Sequence, residues 1–359
     1  MDEIAEQPFA LYLVLALVAA VLPAGRARAI AGIGLALAAL GTAAESVGGF
    51  SAGSTFATIN EILIGLGAII VATAGVLAWR ARRFAGGYAP AGALSGPRTF
   101  PDPLLLAGFL LAAAGPHLIL LGAGAFLCLL AAARMTLQSR RGAWLVLLVV
   151  GVALLGAAFF LLFTILGAAG GRMSELSAGP FSLPAERLIV LLTGCASLVL
   201  AGLPPFHRAP WRLLLAPLVA MLLVRVLIPT LPGGLGDWRA PAMLFLVVAL
   251  AVGAVREAWP QALVAGGLFT LWSGFPGGVF AGCLLVLWGW LLEAGVLSAP
   301  GAPLPLRGRW SGLVALLPAL AAPFALGATL AVEVVLSVVA VLVLAVGFGI
   351  AAMRRPRPA

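Results

Sequence analysis

Long apolar stretches separated by short connections constrain the fold of this chain more than any other feature. Hydrophobic residues make up 63% of its 359 residues and charged residues only 9%, which is more apolar surface than one water-soluble core can bury. Lipid is therefore the expected solvent. The apolar runs predict an all-α polytopic membrane protein with about 13 transmembrane helices, some of them shortened or broken. The predicted spans are residues 8–24, 29–44, 56–79, 103–115, 117–133, 143–169, 187–203, 213–231, 240–255, 260–275, 278–297, 311–330 and 332–353.

The polar connections are too short to fold as separate soluble domains. We therefore expect a single membrane domain over residues 1–359. Its helices divide into a first group at 8–203 and a second group at 213–353, and a basic tail follows at 354–359.

The positive charges predict the orientation in the membrane. The sequence contains no lysine, so its 21 lysine-plus-arginine residues are all arginines. Together with 12 acidic residues they give a net charge of +9. Most lie in alternate connections, and positively charged connections stay on the cytoplasmic side. We expect a multi-pass protein of a bacterial-type inner (cytoplasmic) membrane, with the N-terminus outside and the C-terminus inside. The scattered arginines form no contiguous basic face, so no nucleic-acid partner is expected.

A metal site or a catalytic loop is not indicated. His117 and His207 fall at opposite ends of predicted spans, about 30 Å apart across the bilayer, so they cannot share an ion. The neighbouring arginines make His207 a poor general base, and no carboxylate is near to orient it. The cysteines lack paired spacing. We expect no catalytic, metal-binding or cofactor-binding residue, and we interpret the loop AGLPPFHRAPW at 201–211 as architecture, because its prolines end one span and start the next.

The same loop carries a family resemblance. A span that ends in PFH, a tryptophan soon after it, and the proline-started span APLVAMLLVRVLIPTLP resemble the seventh and eighth helices of the antiporter-like subunits of respiratory complex I, in particular the N-type subunit. Upstream, GPHLILLGAGAFLCLLAAARMTLQSRR resembles the fifth helix and its arginine-bearing loop. Downstream, VGAVREAWPQALVAGGLFTLWSGF resembles a polar connection of that family. The resemblance implies an antiporter-like helix bundle over residues 8–353.

The family's proton-carrying residues have no equivalent in this sequence. The glutamate of the fifth helix falls on Phe126, the lysine of the seventh near Leu200, and a later lysine near Leu330. In the eighth helix, Arg225 is the displaced substitute for a lysine. Because arginine does not release its proton readily, the resemblance implies a structural or weakly proton-conducting relative.

Charged side chains inside predicted spans are each a functional hypothesis, because they are costly in lipid. Arg225 lies deepest; it either orders a carboxylate or water, or forms a structural ion pair. Glu61, Glu293, Glu333 and His207 are further candidates for a proton path, with interfacial or packing roles as the alternative. Arg256 and Glu257 fit the polar connection of the family or a solvated ion pair.

Two functions follow from these observations. The first is an integral subunit of a complex-I-type NADH:quinone oxidoreductase or a related membrane-bound hydrogenase, with other membrane subunits and lipids as partners, no cofactor of its own and no catalysis by itself. The alternative is an independent multi-pass permease whose substrate lies near the broken helices around Pro217, Pro229 and Pro260. The proteins that copurify with the chain distinguish the subunit from the permease, because a subunit copurifies with a large complex.

Overall fold

The described part of the chain is helical. The structure, a computed structural model, describes residues 118–138, 142–166, 182–203, 213–231 and 259–272, with parts of 105–112, 205–211 and 282–290 and residue 248. Within these ranges it contains no strand. The helices are α1 (Leu118–Gln138), α2 (Gly142–Leu166), α3 (Leu183–Leu200), α4 (Ala216–Thr230) and α5 (Trp259–Leu271).

Two of these helices, α2 and α3, are long and apolar enough to cross a membrane. In α2 only 28% of the residues in the most apolar stretch are buried. Large apolar side chains such as Val149 and Phe160 are exposed along it. A helix that is hydrophobic all round needs an apolar environment on every face.

The described residues confirm the all-helical class, and they shift several predicted boundaries. The helix predicted at 187–203 begins four residues earlier, at Leu183, because the carbonyl of Ser182 accepts the first backbone hydrogen bonds and Pro184 fits the first turn. The one predicted at 117–133 continues past Arg134 to Gln138. Most remaining spans lie outside the described residues, so the total of about 13 helices stays a prediction.

The described residues fall into two compact units, one ending at Leu145 and the other running from Val146 onward. In the first unit, segment 105–112 packs closely on α1. A β-carbon added at Gly124 would lie 2.6 Å from the carbonyl oxygen of Gly108. The Cys128 thiol lies 3.6 Å from the carbonyl oxygen of Leu105. Leu105 and Gly108 meet Cys128 and Gly124 in reverse order, so the two helical segments run antiparallel.

The second unit uses the same kind of contact. A β-carbon at Gly267 of α5 would lie 2.7 Å from the carbonyl oxygen of Gly282. One at Gly289 would lie 2.7 Å from the carbonyl oxygen of Pro260. Segment 282–290 therefore runs antiparallel to α5 with its backbone close by. Small residues that allow such approach are typical of helix pairs in lipid.

Helices α3 and α5 of this unit lie against α4, and α2 lies against α3. On α2, Gly151 leaves room for Val199 and Leu200 of α3. Helix α3 and helix α5 both contact the first part of α4, Ala216–Leu222. Every residue from Ala216 to Leu227 is buried. Helix α4 is thus the most enclosed element of the described structure.

Two glycines of α1 test the close packing in the first unit. We expect Gly124→Ala to lower the free energy of unfolding by about 1–3 kcal/mol, because the new methyl group meets backbone atoms of segment 105–112. At Gly122 a β-carbon would meet nothing within 4 Å, so Gly122→Ala should be neutral or stabilising by up to about 1 kcal/mol. Denaturant titration of both variants in the same detergent measures the difference, and equal effects would contradict the packing.

Candidate functional site

The buried polar side chains of the second unit form the candidate site. They lie on three helices that are otherwise apolar. The members with less than a tenth of their surface exposed are Glu186, Thr193 and Ser197 on α3, Arg225 and Thr230 on α4, and Gln261 on α5. Because burying such groups in an apolar environment is costly, each needs a partner or a role.

The polar residues of α3 share one face. Glu186, Thr193 and Ser197 are spaced by seven and four residues, which places them along one side of a helix. The Thr193 hydroxyl donates to the carbonyl of Ile189 at 2.8 Å, and the Ser197 hydroxyl donates to the carbonyl of Thr193 at 2.6 Å. Both hydroxyls are therefore satisfied within their own helix.

Glu186 is the exception on that face. It lies in the first turn of α3, where its amide and that of Ala185 donate to the carbonyl of Ser182 at 3.1 and 2.9 Å. Its side chain is only 7% exposed. The Oε2 atom is completely buried and has no hydrogen-bond partner among the described residues.

Helix α4 is interrupted by a π-helical segment, Leu223–Leu227, which is centred on Arg225. Here the amide of Ile228 donates to the carbonyl of Leu223, five residues back. Pro229 follows at once; proline has no amide hydrogen, and its ring clashes with the carbonyl four residues earlier, which is that of Arg225. The wider turn moves this carbonyl away from the ring. Such segments often mark functional sites.

Arg225 is buried at the centre of this segment, with 7% of its surface exposed. The α-helix resumes at Ile228–Thr230. There the Thr230 hydroxyl donates to the carbonyl of Val226 at 2.5 Å, within the turn that Pro229 disrupts. The guanidinium thus enters the interior from an irregular turn.

The connection between α3 and α4 folds back on the end of α3. The Trp211 indole Nε1 donates to the carbonyl of Val199 at 3.2 Å, and the amide of Leu213 donates to that of Ala201 at 3.0 Å. Both side chains are fully buried. Gly202 and Leu213 each have a φ of 62°, the left-handed conformation that reverses the chain. These contacts support the architectural interpretation of the loop.

Of the predicted site residues, the structure describes only Arg225, which it places in the interior. The others lie outside the described residues: Glu61, His207, Arg256, Glu257, Glu293 and Glu333. The two positions aligned with the family's fifth-helix glutamate and seventh-helix lysine differ in exposure. Leu200 is buried, whereas Phe126 is 65% exposed on α1, so its position on α1 faces outward. A carboxylate at 126 would not face the packed side of α1.

Glu186 is not among the site residues predicted from the sequence, because the predicted span begins at Arg187 and leaves Glu186 in a connection. Two signals could have included it: the proline at 184, which suits a first helical turn, and the spacing that continues through Thr193 and Ser197. Neither signal predicts that Oε2 is buried, because burial depends on the packing of neighbouring helices.

Metal binding is not supported in the described part of the chain. It contains no group of three or more His, Cys, Asp or Glu side chains placed to share an ion. The cysteines there, Cys128, Cys195 and Cys283, are free thiols. The expectation that the chain has no metal-binding residue is not tested outside the described residues.

Trp211 tests the loop. We expect Trp211→Phe to reduce stability by about 1 kcal/mol, because the Val199 carbonyl loses its indole donor while an aromatic ring remains. Trp211→Ala should cost about 3–5 kcal/mol through the cavity it leaves. Unfolding of both variants in detergent measures the two contributions, and equal losses would show that the hydrogen bond is not separable from the packing.

The comparisons with known proteins do not identify a family. No family model matches the sequence, and no curated protein is significantly similar to it. Function is therefore argued from the residues of this chain.

Proposed function

We propose that the chain is an antiporter-like integral membrane subunit of a complex-I-type respiratory assembly or a related membrane-bound hydrogenase. Its role is structural or weakly proton-conducting, and other chains carry the redox chemistry. The observation that carries this proposal is Arg225, a buried permanent cation in the broken helix where the sequence resemblance sets a lysine.

The fixed charge of Arg225 supports a structural role. A relay residue must take up and release a proton, which a buried lysine can do and an arginine effectively cannot. A buried cation can still hold helices in register through charged or polar partners. The outward position of Phe126 adds to this argument, because the matching carboxylate is missing and its position on α1 is exposed.

The setting of the proposal is a lipid bilayer. The exposed apolar side chains of α2, among them Val146 and Phe163, are suited to acyl chains rather than water. The arginine-rich connections favour a bacterial-type inner membrane with the N-terminus outside and the C-terminus inside. Neighbouring membrane subunits and lipids are then the partners.

An independent permease is the second candidate, and the π-helical segment favours it. Transporters often bind their substrates at helices that are interrupted within the membrane. Helix α4 is interrupted at Leu223–Leu227 between Pro217 and Pro229, and it is enclosed by α3 and α5. In this reading Arg225 would bind an anionic substrate.

The state of the protein after gentle extraction separates these functions. We expect the chain to migrate on a native gel in a large complex whose other members include iron–sulfur or nickel–iron subunits, identified by mass spectrometry. A chain that runs alone or as a homodimer in several mild detergents would contradict the subunit proposal and favour the permease.

Arg225 provides a second test. Arg225→Leu should decrease the assembled fraction severalfold, because it leaves the partners of a buried cation unsatisfied, at about 1–3 kcal/mol for each lost hydrogen bond. The complex that still assembles should retain its proton flux in proteoliposomes. Arg187→Gln is the matched control, since Arg187 is exposed on α3. A large loss of flux in correctly assembled Arg225→Leu complex would contradict the structural role.

A further inference from the structure

Glu186 is the only acidic side chain in the part of the chain that the structure describes. It is also buried, and its Oε2 atom lacks a hydrogen-bond donor among those residues. A carboxylate oxygen without a donor in an apolar environment is costly, so the group needs a cation, a donor or a proton. The proposed function makes no use of this carboxyl.

The burial of Glu186 limits what can reach it. The residues that cover Oε2 belong to this chain itself, since the burial is that of the single chain. A lysine or arginine from a neighbouring subunit would have to displace these residues to pair with the atom. A proton needs no space beyond the oxygen that binds it.

A metal ion is a poorer occupant. Cations such as Na⁺ or Ca²⁺ require several oxygen ligands around one point. The nearest hydroxyls on the same face belong to Thr193 and Ser197, about 10 Å or more along the helix axis from Glu186. Both hydroxyls already donate to carbonyls of their own helix.

The position of Glu186 suits exchange with water. Ser182, Leu183 and Pro184, which begin the helix, are exposed, and the buried face of α3 begins at Glu186. The start of a helix stabilises negative charge, whereas an apolar interior stabilises an uncharged carboxyl. The surroundings of Glu186 thus include one feature that favours the charged carboxylate and one that favours the uncharged carboxyl.

Among the described residues, few charged groups lie near Glu186. On α3 the neighbouring Arg187 is exposed on another face. Of the described elements packed against α3, helix α4 carries Arg225 at the centre of its π-helical segment. The part of α2 in this unit and helix α5 carry no charged side chain.

We propose that Glu186 is a proton-binding site at the start of α3, where its carboxylate accepts a proton on a buried oxygen and returns it to water. The proposal deepens the proposed function, on which it rests for the membrane setting: the weak proton conduction of such a subunit would begin at Glu186 rather than at the family's fifth-helix position. No oxidant or reductant is involved, since the carboxylate and a proton give a carboxylic acid.

Carbodiimide modification tests this site in the full chain. Dicyclohexylcarbodiimide enters apolar regions and adds to protonated carboxyls, and mass spectrometry of the peptide measures the adduct. In membranes containing the protein we expect Glu186 to be modified by the carbodiimide. The yield should decrease as the pH of the buffer is raised, because the reagent adds to the protonated carboxyl. Glu186→Gln should remove the adduct, and Arg187→Gln should keep it.

Three outcomes would overturn the proposal: no adduct at Glu186 in a chain modified elsewhere, a yield that does not change with pH, or an adduct that survives in Glu186→Gln. If Glu186→Gln does not fold, the pH profile of the unaltered protein still decides, and Glu186→Asp supplies a second variant. The native gel is independent of this result. A chain that runs alone but is modified at Glu186 would lose the subunit proposal and keep the proton site.

Discussion

The burial of polar groups among apolar helices is the constraint on which the rest of the structure depends. In lipid, no water satisfies a polar group that the protein leaves unmatched, so the backbone must bond within helices and the side chains must find acceptors nearby. The buried hydroxyls of Thr136, Thr193, Ser197 and Thr230 meet this requirement in the same way, by donating to the carbonyl four residues earlier. They need no partner helix. Among the described residues the Oε2 atom of Glu186 has no such partner, so the state of this carboxyl depends on its surroundings.

Helix packing follows from the same constraint. Without a hydrophobic effect to press helices together in lipid, close backbone approach supplies the attraction, and it requires residues without bulky side chains at the crossing points. Gly108 and Gly124 serve one pair of helical segments, and Gly267 and Gly289 serve another. Glycines at exposed positions such as Gly122 and Gly156 meet nothing, so glycine content alone does not identify the contacts.

The broken helix α4 links this packing to function. A proline within a buried helix removes one backbone hydrogen bond and displaces a carbonyl, and the chain accommodates Pro229 with a π-helical turn in which Arg225 lies. The cost of such a turn and of a buried guanidinium is tolerated only where the surrounding helices hold both in place. A subunit that stabilises a larger assembly and a permease that binds an anion would each use that arrangement. The proteins that copurify after extraction distinguish a subunit from a permease, whereas the geometry of α4 is compatible with both functions.

The sequence by itself determined the helical class, the approximate positions of α1 to α5 and the presence of a cation within α4, because these depend on apolar run length and on residue type. It also indicated that the loop before α4 is architecture. It did not determine that Phe126 faces outward, that α4 widens into a π-helical turn, or that α3 starts early enough to enclose Glu186. Those features depend on which helices lie against each other and on how a proline is accommodated once both sides of its helix are covered. Only the tertiary structure could decide them, since burial is a property of neighbours and not of the residue.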